Sequence, residues 1–259
     1  MLEFVNNGLR LEYEVTGHGL PFVFLHGMGG SINQIYTTYA PIEGVQLITI
    51  NQQGHGNSDV DWDKYDFSNL ADDIVSLLEY LNIKKACFAG ISMGAAVSLN
   101  VATRYPECVQ KLLLIRNAWT DQPMLGKVQA AYHDLGMSLK EDNIEAFYRT
   151  EGWRIVKKAS AYTRNAFIGT FHDPCCIKNW RKYLILPKKT PISSLKELNN
   201  LTMPVSILAN RNDLCHPFAF GEYLRDSIVG AELVEIPEKE KAGHKNGINL
   251  AIRHMLEIQ

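Results

Sequence analysis

Short runs of consecutive apolar residues alternate along this chain with stretches in which apolar residues recur every three or four positions. Two runs at 2–5 and 9–15, separated by Asn6-Asn7-Gly8, predict an opening hairpin. Six further runs predict strands at Pro21–Leu25, Gln46–Ile50, Ala86–Ala89, Lys111–Ile115, Pro204–Ala209 and Glu232–Ile236. Because continuous apolar strands are buried on both faces, we expect an α/β fold with an eight-stranded, mostly parallel sheet flanked by helices.

Three stretches have the periodicity of amphipathic helices. In 68–81 the apolar residues fall at i, i+3 and i+4 spacing, and 95–104 and 246–258 follow the same pattern. Each stretch lies next to a predicted strand. We therefore expect these helices to cover the sheet.

The interval from about Thr120 to Asn200 has a different pattern, with aromatic residues at helical spacing and almost no β-type run. Prolines at 174, 187 and 191 divide it into several short helices. We predict an all-helical lid at 120–200, inserted into a core formed by 1–119 and 201–259. Its thirteen Lys and Arg against eight Asp and Glu give a net charge of +5, compared with −7 elsewhere.

Gly90-Ile91-Ser92-Met93-Gly94 lies between a buried strand and an Ala-rich helix. A tight strand-to-helix turn leaves no room for side chains two residues before and after its central residue, so glycine is expected at both places. The turn would hold the Ser92 hydroxyl above the strand ends at a helix N-terminus. Ser92 is therefore the candidate nucleophile.

The loop His26-Gly27-Met28-Gly29-Gly30 directly follows the predicted strand 21–25. Its glycines would let the backbone approach a ligand closely. The amide of Met28 and that of Met93, next to the nucleophile, would then form an oxyanion hole. The loop lacks the Lys-Ser/Thr pair of a phosphate-binding P-loop and the glycine spacing of a dinucleotide site.

A serine hydroxyl needs a base to remove its proton and an acid to orient that base. Asp213 and His244 both follow predicted strands, and the carboxyl ends of such strands are where open α/β sheets bind ligands. We therefore assign His244 as base and Asp213 as acid, with Asp121 as the alternative acid. The remaining histidines fit less well: His254 lies inside the last helix, His133 and His172 lie in the lid, and His216 is only three residues from Asp213.

The 259 residues are 46% hydrophobic and carry a net charge of −2, as expected for an ordinary globular protein. Neither composition nor charge implies nucleic-acid or membrane binding. Residues 1–7 lack the features of a signal peptide, and the five scattered cysteines fit neither a disulfide framework nor a zinc site. We expect a cytoplasmic monomer or homodimer with no metal and no cofactor.

The order of nucleophile, acid and histidine, with a Gly-x-Ser-x-Gly turn and an upstream His-Gly loop, resembles the α/β-hydrolase family. Gln53-Gly54-His55-Gly56 looks like the family's loop after its fourth strand, where His55 would be structural. Asn51 and Gln53 depart from the usual Asp and Arg of that loop, and Glu238–Lys241 lengthens the approach to His244. The resemblance implies a helical lid and a Ser92, Asp213, His244 triad.

A serine nucleophile predicts hydrolysis of a carboxylic ester, lactone or thioester through an acyl-enzyme. The expected partner is a small, largely apolar ester or lactone, contacted by His26, Gly27, Trp119, Phe147 and Trp153. The resemblance leaves two alternatives open: a slowly turning-over ligand receptor, and an acyltransferase or C–C hydrolase that uses the same triad. The lid charge has two interpretations, a solvated basic face or steering of an anionic substrate by Lys157-Lys158, Arg181-Lys182 and Lys188-Lys189.

Overall fold

The computed structural model describes residues 1–258. Its eight strands form one sheet in the order β1-β2-β4-β3-β5-β6-β7-β8. Strands β1 and β2 run antiparallel to their neighbours, and the other strands are parallel. All eight predicted strands are confirmed: β1 Leu2–Asn6, β2 Leu9–Gly17, β3 Leu20–Leu25, β4 Val45–Ile50, β5 Ala86–Ile91, β6 Val109–Ile115, β7 Val205–Ala209 and β8 Glu232–Glu235.

The opening hairpin turns at Asn7 and Gly8, whose φ angles are 50° and 82°. Two successive residues with positive φ match the right-handed twist of the paired strands, and Asn-Gly is the sequence that adopts this geometry most readily. The predicted hairpin is thus explained by the chemistry of its turn.

Eleven α-helices accompany the strands in residues 1–258. Those outside the interval between β6 and β7 are α1 Ile32–Thr38, α2 Phe67–Tyr80, α3 Met93–Arg104, α10 Phe218–Ser227 and α11 His244–Leu256. The three helices predicted from periodicity correspond to α2, α3 and α11. Between β6 and β7 lie α4 Gly126–Lys140, α5 Ile144–Tyr148, α6 Glu151–Val156, α7 Ala161–Gly169, α8 Pro174–Lys178 and α9 Lys182–Ile185. Short 3₁₀ turns occupy Trp62–Lys64, Pro106–Cys108, Thr170–His172, Leu186–Lys188 and Leu195–Asn200.

The central strands are buried on both faces. In β5, Phe88 points into the hydrophobic cluster that contains α2 and α3, while Cys87 and Ala89 point into the cluster on the opposite face, which contains α11. Successive side chains of a strand alternate between faces, so a strand covered on both sides must be apolar at every position. This is why β5 has a continuous apolar sequence.

Every regular element between β6 and β7 is helical. Pro174 opens α8, where its missing N–H costs nothing. Stacked aromatic rings bind these helices together: the Tyr132 and Phe167 centroids are 4.9 Å apart. The helical character predicted for 120–200 is therefore observed, and its division from the core as a lid stays a prediction. No helix in residues 1–258 is both long and apolar enough to cross a bilayer.

Candidate active site

The turn between β5 and α3 holds Ser92 in a conformation that is uncommon for a residue with a side chain, with φ 56° and ψ −109°. Its amide donates to the carbonyl of Ile115, at 2.9 Å. A Cβ atom at Gly90 would overlap the backbone of Gly94, and one at Gly94 would overlap the carbonyl oxygen of Leu25. Both glycines are thus required by the close approach of backbone segments around the turn.

The Ser92 hydroxyl is hydrogen-bonded to a histidine, and that histidine is His216. Its Nε2 lies 2.8 Å from Ser92 Oγ, and its Nδ1 lies 2.9 Å from Asp213 Oδ1. The same carboxylate oxygen accepts from the amides of Cys215 and His216, at 3.1 and 3.2 Å. These bonds fold the loop after β7 back on itself and bring Asp213, His216 and Ser92 into one chain of hydrogen bonds.

His244, the predicted base, lies close enough to Asp213 and Arg116 for their charges to affect its pKa, but it forms no hydrogen bond to Ser92 or Asp213 among the described residues. It is the first residue of α11 and follows Gly243, whose φ is 94°. Its Nδ1 is bonded to the carbonyl of Pro237 at 2.7 Å, and its buried Nε2 has no hydrogen-bond partner within residues 1–258. Within residues 1–258, Ser92 therefore forms no hydrogen bond with His244. His216 binds the Ser92 hydroxyl instead.

Asp213, the predicted acid, has a second partner that the sequence analysis missed. Arg116 directly follows β6, and its Nε and Nη2 atoms lie 3.1 and 2.6 Å from Asp213 Oδ2. Both side chains are about 95% buried. An ion pair with two donors on one carboxylate is strong when it is shielded from water. The signal in the sequence was an arginine directly after an apolar strand, at the sheet edge where sites form.

These contacts shift the pKa values of the site. Burial alone would raise the pKa of the Asp213 carboxyl, but His216 and Arg116 outweigh it and hold that pKa well below its usual range. Burial lowers the pKa of His216, Arg116 lowers it further, and Asp213 opposes both. The net result is a lowered His216 pKa, so the ring is neutral at pH 7. Because an ionised carboxylate can only accept, Nδ1 carries the proton and Nε2 is left to accept from Ser92.

The His-Gly loop lies against Ser92 and is held by side chains. A Cβ on Gly27 would be 3.4 Å from Ser92 Cβ. The Gly27 amide donates to Gln34 Oε1 at 2.7 Å, and the Gly29 amide donates to His55 Nε2 at 3.1 Å. His55 thus occupies the structural position expected for it, and burial keeps its pKa well below the usual value.

The amides of Met28 and Met93 make no hydrogen bond among the described residues, and Met28, unlike Met93, lines the cavity beside Ser92. Met93 is the first residue of α3, and N–H groups in the first turn of a helix have no intrahelical acceptor. The two backbone N–H groups predicted to form an oxyanion hole therefore have no acceptor among the described residues.

A cavity of about 90 Å³ opens at Ser92, and its lining corrects most of the expected substrate contacts. Gly27 lines it as predicted, whereas His26, Trp119, Phe147 and Trp153 do not. The residues that line it in their place are Arg116, Tyr132, Leu135, Tyr162, Phe167 and Tyr183, together with Gln34, Ala166 and others.

Each of the four misassigned side chains is engaged in packing or internal hydrogen bonds. His26 is fully buried, accepts from the Gln52 amide at 3.1 Å, and has a pKa lowered to about 4 by burial. Trp119 donates to the carbonyl of Leu186 at 3.2 Å. Phe147 packs against Trp153 with ring centroids 5.7 Å apart. Aromatic spacing identified the buried helix faces but not which faces border the cavity.

Two further predictions are also corrected. Asp121, the alternative acid, has a carboxylate that accepts from Tyr223 Oη at 3.0 Å in an exposed pair, and it makes no bond to a histidine among the described residues. Lys182, which belongs to the steering interpretation of the lid charge, is fully buried and donates to the carbonyl of Gly54 at 3.0 Å. A buried ammonium group cannot attract a ligand from solution.

The chain is similar in sequence and in fold to known proteins. Residues 21–153, about half of the chain, match the family model described as alpha/beta hydrolase fold. The chain is 28% identical over 249 residues to the AB hydrolase superfamily protein YisY of Bacillus subtilis (strain 168), covering 87% of this chain and 86% of that protein. It is 24% identical over 208 residues to the bifunctional esterase/perhydrolase DCH of Acinetobacter calcoaceticus, covering 75% and 74%.

Among solved structures, the enol-lactonase from Burkholderia xenovorans LB400 superposes with a TM-score of 0.73 at 18% identity, covering 99% of this chain and 97% of that one. At this identity the likeness concerns the fold. The strand order and the serine turn at the end of β5 agree with the match to the family model. The chain therefore belongs to the alpha/beta hydrolase family.

Proposed function

We propose that this protein is a serine hydrolase that cleaves a carboxylic ester or lactone through an acyl-enzyme on Ser92. The observation that carries the proposal is the 2.8 Å hydrogen bond between Ser92 Oγ and His216 Nε2, in a chain that continues to Asp213. A relative named as a bifunctional esterase/perhydrolase supports the same class of reaction.

In the proposed mechanism, Ser92 Oγ attacks the acyl carbon while His216 Nε2 accepts the hydroxyl proton. Asp213 holds the imidazole in the required tautomer and stabilises its protonated form. The Met28 and Met93 amides donate to the developing oxyanion. His216 then returns the proton to the leaving oxygen, and in the second half it activates water to release the acid. This assignment replaces the predicted base, His244, with His216.

The cavity size indicates a short acyl group. About 90 Å³ is room for roughly six to nine water-sized groups, well below the several hundred Å³ of a typical drug-sized site. Tyr132, Phe167 and Leu135 provide apolar walls, and Gln34 and Thr170 provide polar ones. We therefore propose acetyl-sized to butyryl-sized acyl groups.

The two alternatives from the sequence analysis differ from this proposal in their kinetics. A ligand receptor that retains the triad would be acylated once per molecule and then stop. An acyltransferase would pass the acyl group to an alcohol or thiol in preference to water. Multiple turnovers on a short-chain ester in water are expected here.

The experiment that tests the proposal combines an active-site probe with one variant. A fluorophosphonate should label the wild-type protein at Ser92 and leave Ser92→Ala unlabelled. Because triad residues act as a unit, Ser92→Ala should lower kcat on a short-chain ester by about 10⁴- to 10⁶-fold. Ester hydrolysis at the wild-type rate by Ser92→Ala, with its melting temperature unchanged, would show that the nucleophile is another residue.

A further inference from the structure

A second depression adjoins the cavity at Ser92 and is much larger, about 730 Å³ against about 90 Å³. Asp213 lines both, so the two share a wall formed by the loop that carries His216. The opposite side of this groove is formed by α6 and the residues after it, and by Lys127 at the start of α4.

The groove is lined by three cationic side chains, Lys127, Arg154 and Lys158, and two carboxylates. Each carboxylate is already bound to an arginine: Glu151 to Arg154 at 3.0 Å, and Asp213 to Arg116 at 2.6 Å. Lys127 and Lys158 make no ion pair within residues 1–258 and are exposed. The groove therefore has an excess of positive charge.

The position of His216 determines which part of a substrate would occupy the groove. In ester cleavage the leaving oxygen must come within reach of His216 Nε2, which returns the proton to it. The acyl group occupies the space at Ser92, which is the small cavity. A leaving group that passes the loop of His216 would reach the groove, because Asn212 and Leu214, on either side of Asp213 in that loop, line it.

We propose that this groove binds an anionic leaving group, bearing a carboxylate or a phosphate, of a short-chain acyl ester. The proposal rests on the proposed function. It adds that the leaving group of the substrate is negatively charged, and it names the residues that bind that charge. Lys127 and Lys158 are the principal contacts. Lys157, the exposed neighbour of Lys158, does not line the groove and makes no contact in the proposal.

The test uses acetyl esters of three phenols that differ only in the para substituent: a carboxamide, a carboxylate or a phosphate. The quantity measured is kcat/KM for each anionic ester divided by that for the neutral ester. Lys158→Gln should lower this ratio about two- to five-fold, as expected for one exposed charge pair, and Lys127→Gln with Lys158→Gln about ten-fold. Lys157→Gln removes the same charge one residue away and should leave the ratio within about 1.5-fold of wild type.

An equal fall in the ratio for Lys157→Gln and Lys158→Gln would overturn the proposal. It would show that the positive surface attracts anionic esters in general and that the groove makes no specific contact. A wild-type ratio of one or less would overturn it too. A larger effect with the phosphate than with the carboxylate would identify a phosphorylated leaving group, and the reverse a carboxylate.

A binding measurement separates this proposal from the proposed function. The para-phosphorylated phenol, which is the expected product, is titrated calorimetrically into Ser92→Ala and into Ser92→Ala with Lys158→Gln. Weaker binding by two- to five-fold in the second protein supports the groove even where no ester is hydrolysed. Absence of binding to Ser92→Ala overturns the groove even where neutral esters are hydrolysed.

Discussion

Arg116 Nη2 lies 2.6 Å from Asp213 Oδ2, so the carboxylate that orients His216 is bound at the same time by a buried arginine. The two contacts use different oxygens: Oδ1 faces the imidazole and Oδ2 faces the guanidinium. Arg116 thereby keeps Asp213 ionised and places a positive charge beside the imidazole. In the proposed mechanism it is a positioning residue, because it would act on the reaction through Asp213 and His216.

The pH dependence of activity should report this arrangement. The proposed reaction needs neutral His216, so we predict that kcat/KM rises with pH through the His216 pKa, which burial and then Arg116 hold below the usual value. Arg116→Gln removes the second cause, so the pKa of His216 should rise and the acidic limb of the profile should move to higher pH. Breaking the buried pair should also cost about 3 kcal/mol of unfolding free energy.

The pH profile distinguishes this role from a purely structural one. If Arg116 only supported the fold, Arg116→Gln would lower stability and leave the acidic limb where it is in the wild type. A limb that stays fixed or moves to lower pH would contradict the electrostatic role. The profile of kcat/KM is measured in buffers of constant ionic strength, at a temperature well below the melting temperature of the variant.

Gly94 and Gly126 provide a matched pair for testing the serine turn. Both lie within the first two residues of a helix, but a Cβ on Gly94 would overlap the carbonyl oxygen of Leu25 whereas one on Gly126 meets nothing within 4 Å. Gly94→Ala should therefore lower the unfolding free energy by about 3 kcal/mol or more, because backbone cannot move aside cheaply. Gly126→Ala should raise it by about 0.5–1 kcal/mol. Denaturant titration that gives equal values for both would contradict the crowding inferred around the turn.

Phe147 and Phe167 test which aromatic residues form the cavity at Ser92, which we propose binds the acyl group. Their rings stack 6.2 Å apart and both are buried, yet only Phe167 lines the cavity. Each Phe→Ala change should cost about 3–5 kcal/mol of stability. Only Phe167→Ala should enlarge the cavity and shift the preference from acetyl toward longer acyl esters. A shift in chain-length preference for Phe147→Ala equal to that for Phe167→Ala would show that the cavity reaches further than the structure indicates.

Local features of the site could be predicted from the sequence because they depend on neighbouring residues. The turn at Ser92 needs glycine two positions before and after it, and the adjacent Met93 amide follows from the turn itself. The strands were predictable for a similar reason, since a strand such as β5, covered on both faces, has to be apolar throughout. These inferences use residue types and spacing alone.

The choice of histidine could not be predicted in this way. The short spacing between Asp213 and His216 argues against His216 as the base, yet Asn212 adopts a φ of 57° and two amides bind the Asp213 carboxylate, so the loop curls and the ring reaches Ser92. His244 has the expected position in the chain, but it starts α11 and its Nδ1 is bonded to Pro237. Which loop curls toward the serine depends on backbone angles that residue order does not determine.

The misassigned aromatic residues and Lys182 have a common cause. Helical periodicity shows that one face of a helix is buried, but burial against another helix and burial against a cavity leave the same pattern. Phe147 and Trp153 are buried against each other in this way. Lys182 looked like a surface charge by residue type, and only the tertiary structure shows that it is enclosed beside the Gly54 carbonyl.

The most direct test of the central claim compares the two histidines in otherwise identical proteins. Glutamine keeps a polar amide in each place but cannot act as a base, so His216→Gln and His244→Gln are measured for kcat on a short-chain acetyl ester, with melting temperatures as the folding control. We predict that His216→Gln lowers kcat by about 10⁴- to 10⁶-fold and that His244→Gln stays within about tenfold of wild type. A folded His216→Gln protein with near wild-type kcat, alongside an inactive but folded His244→Gln, would contradict the assignment of His216 as the base.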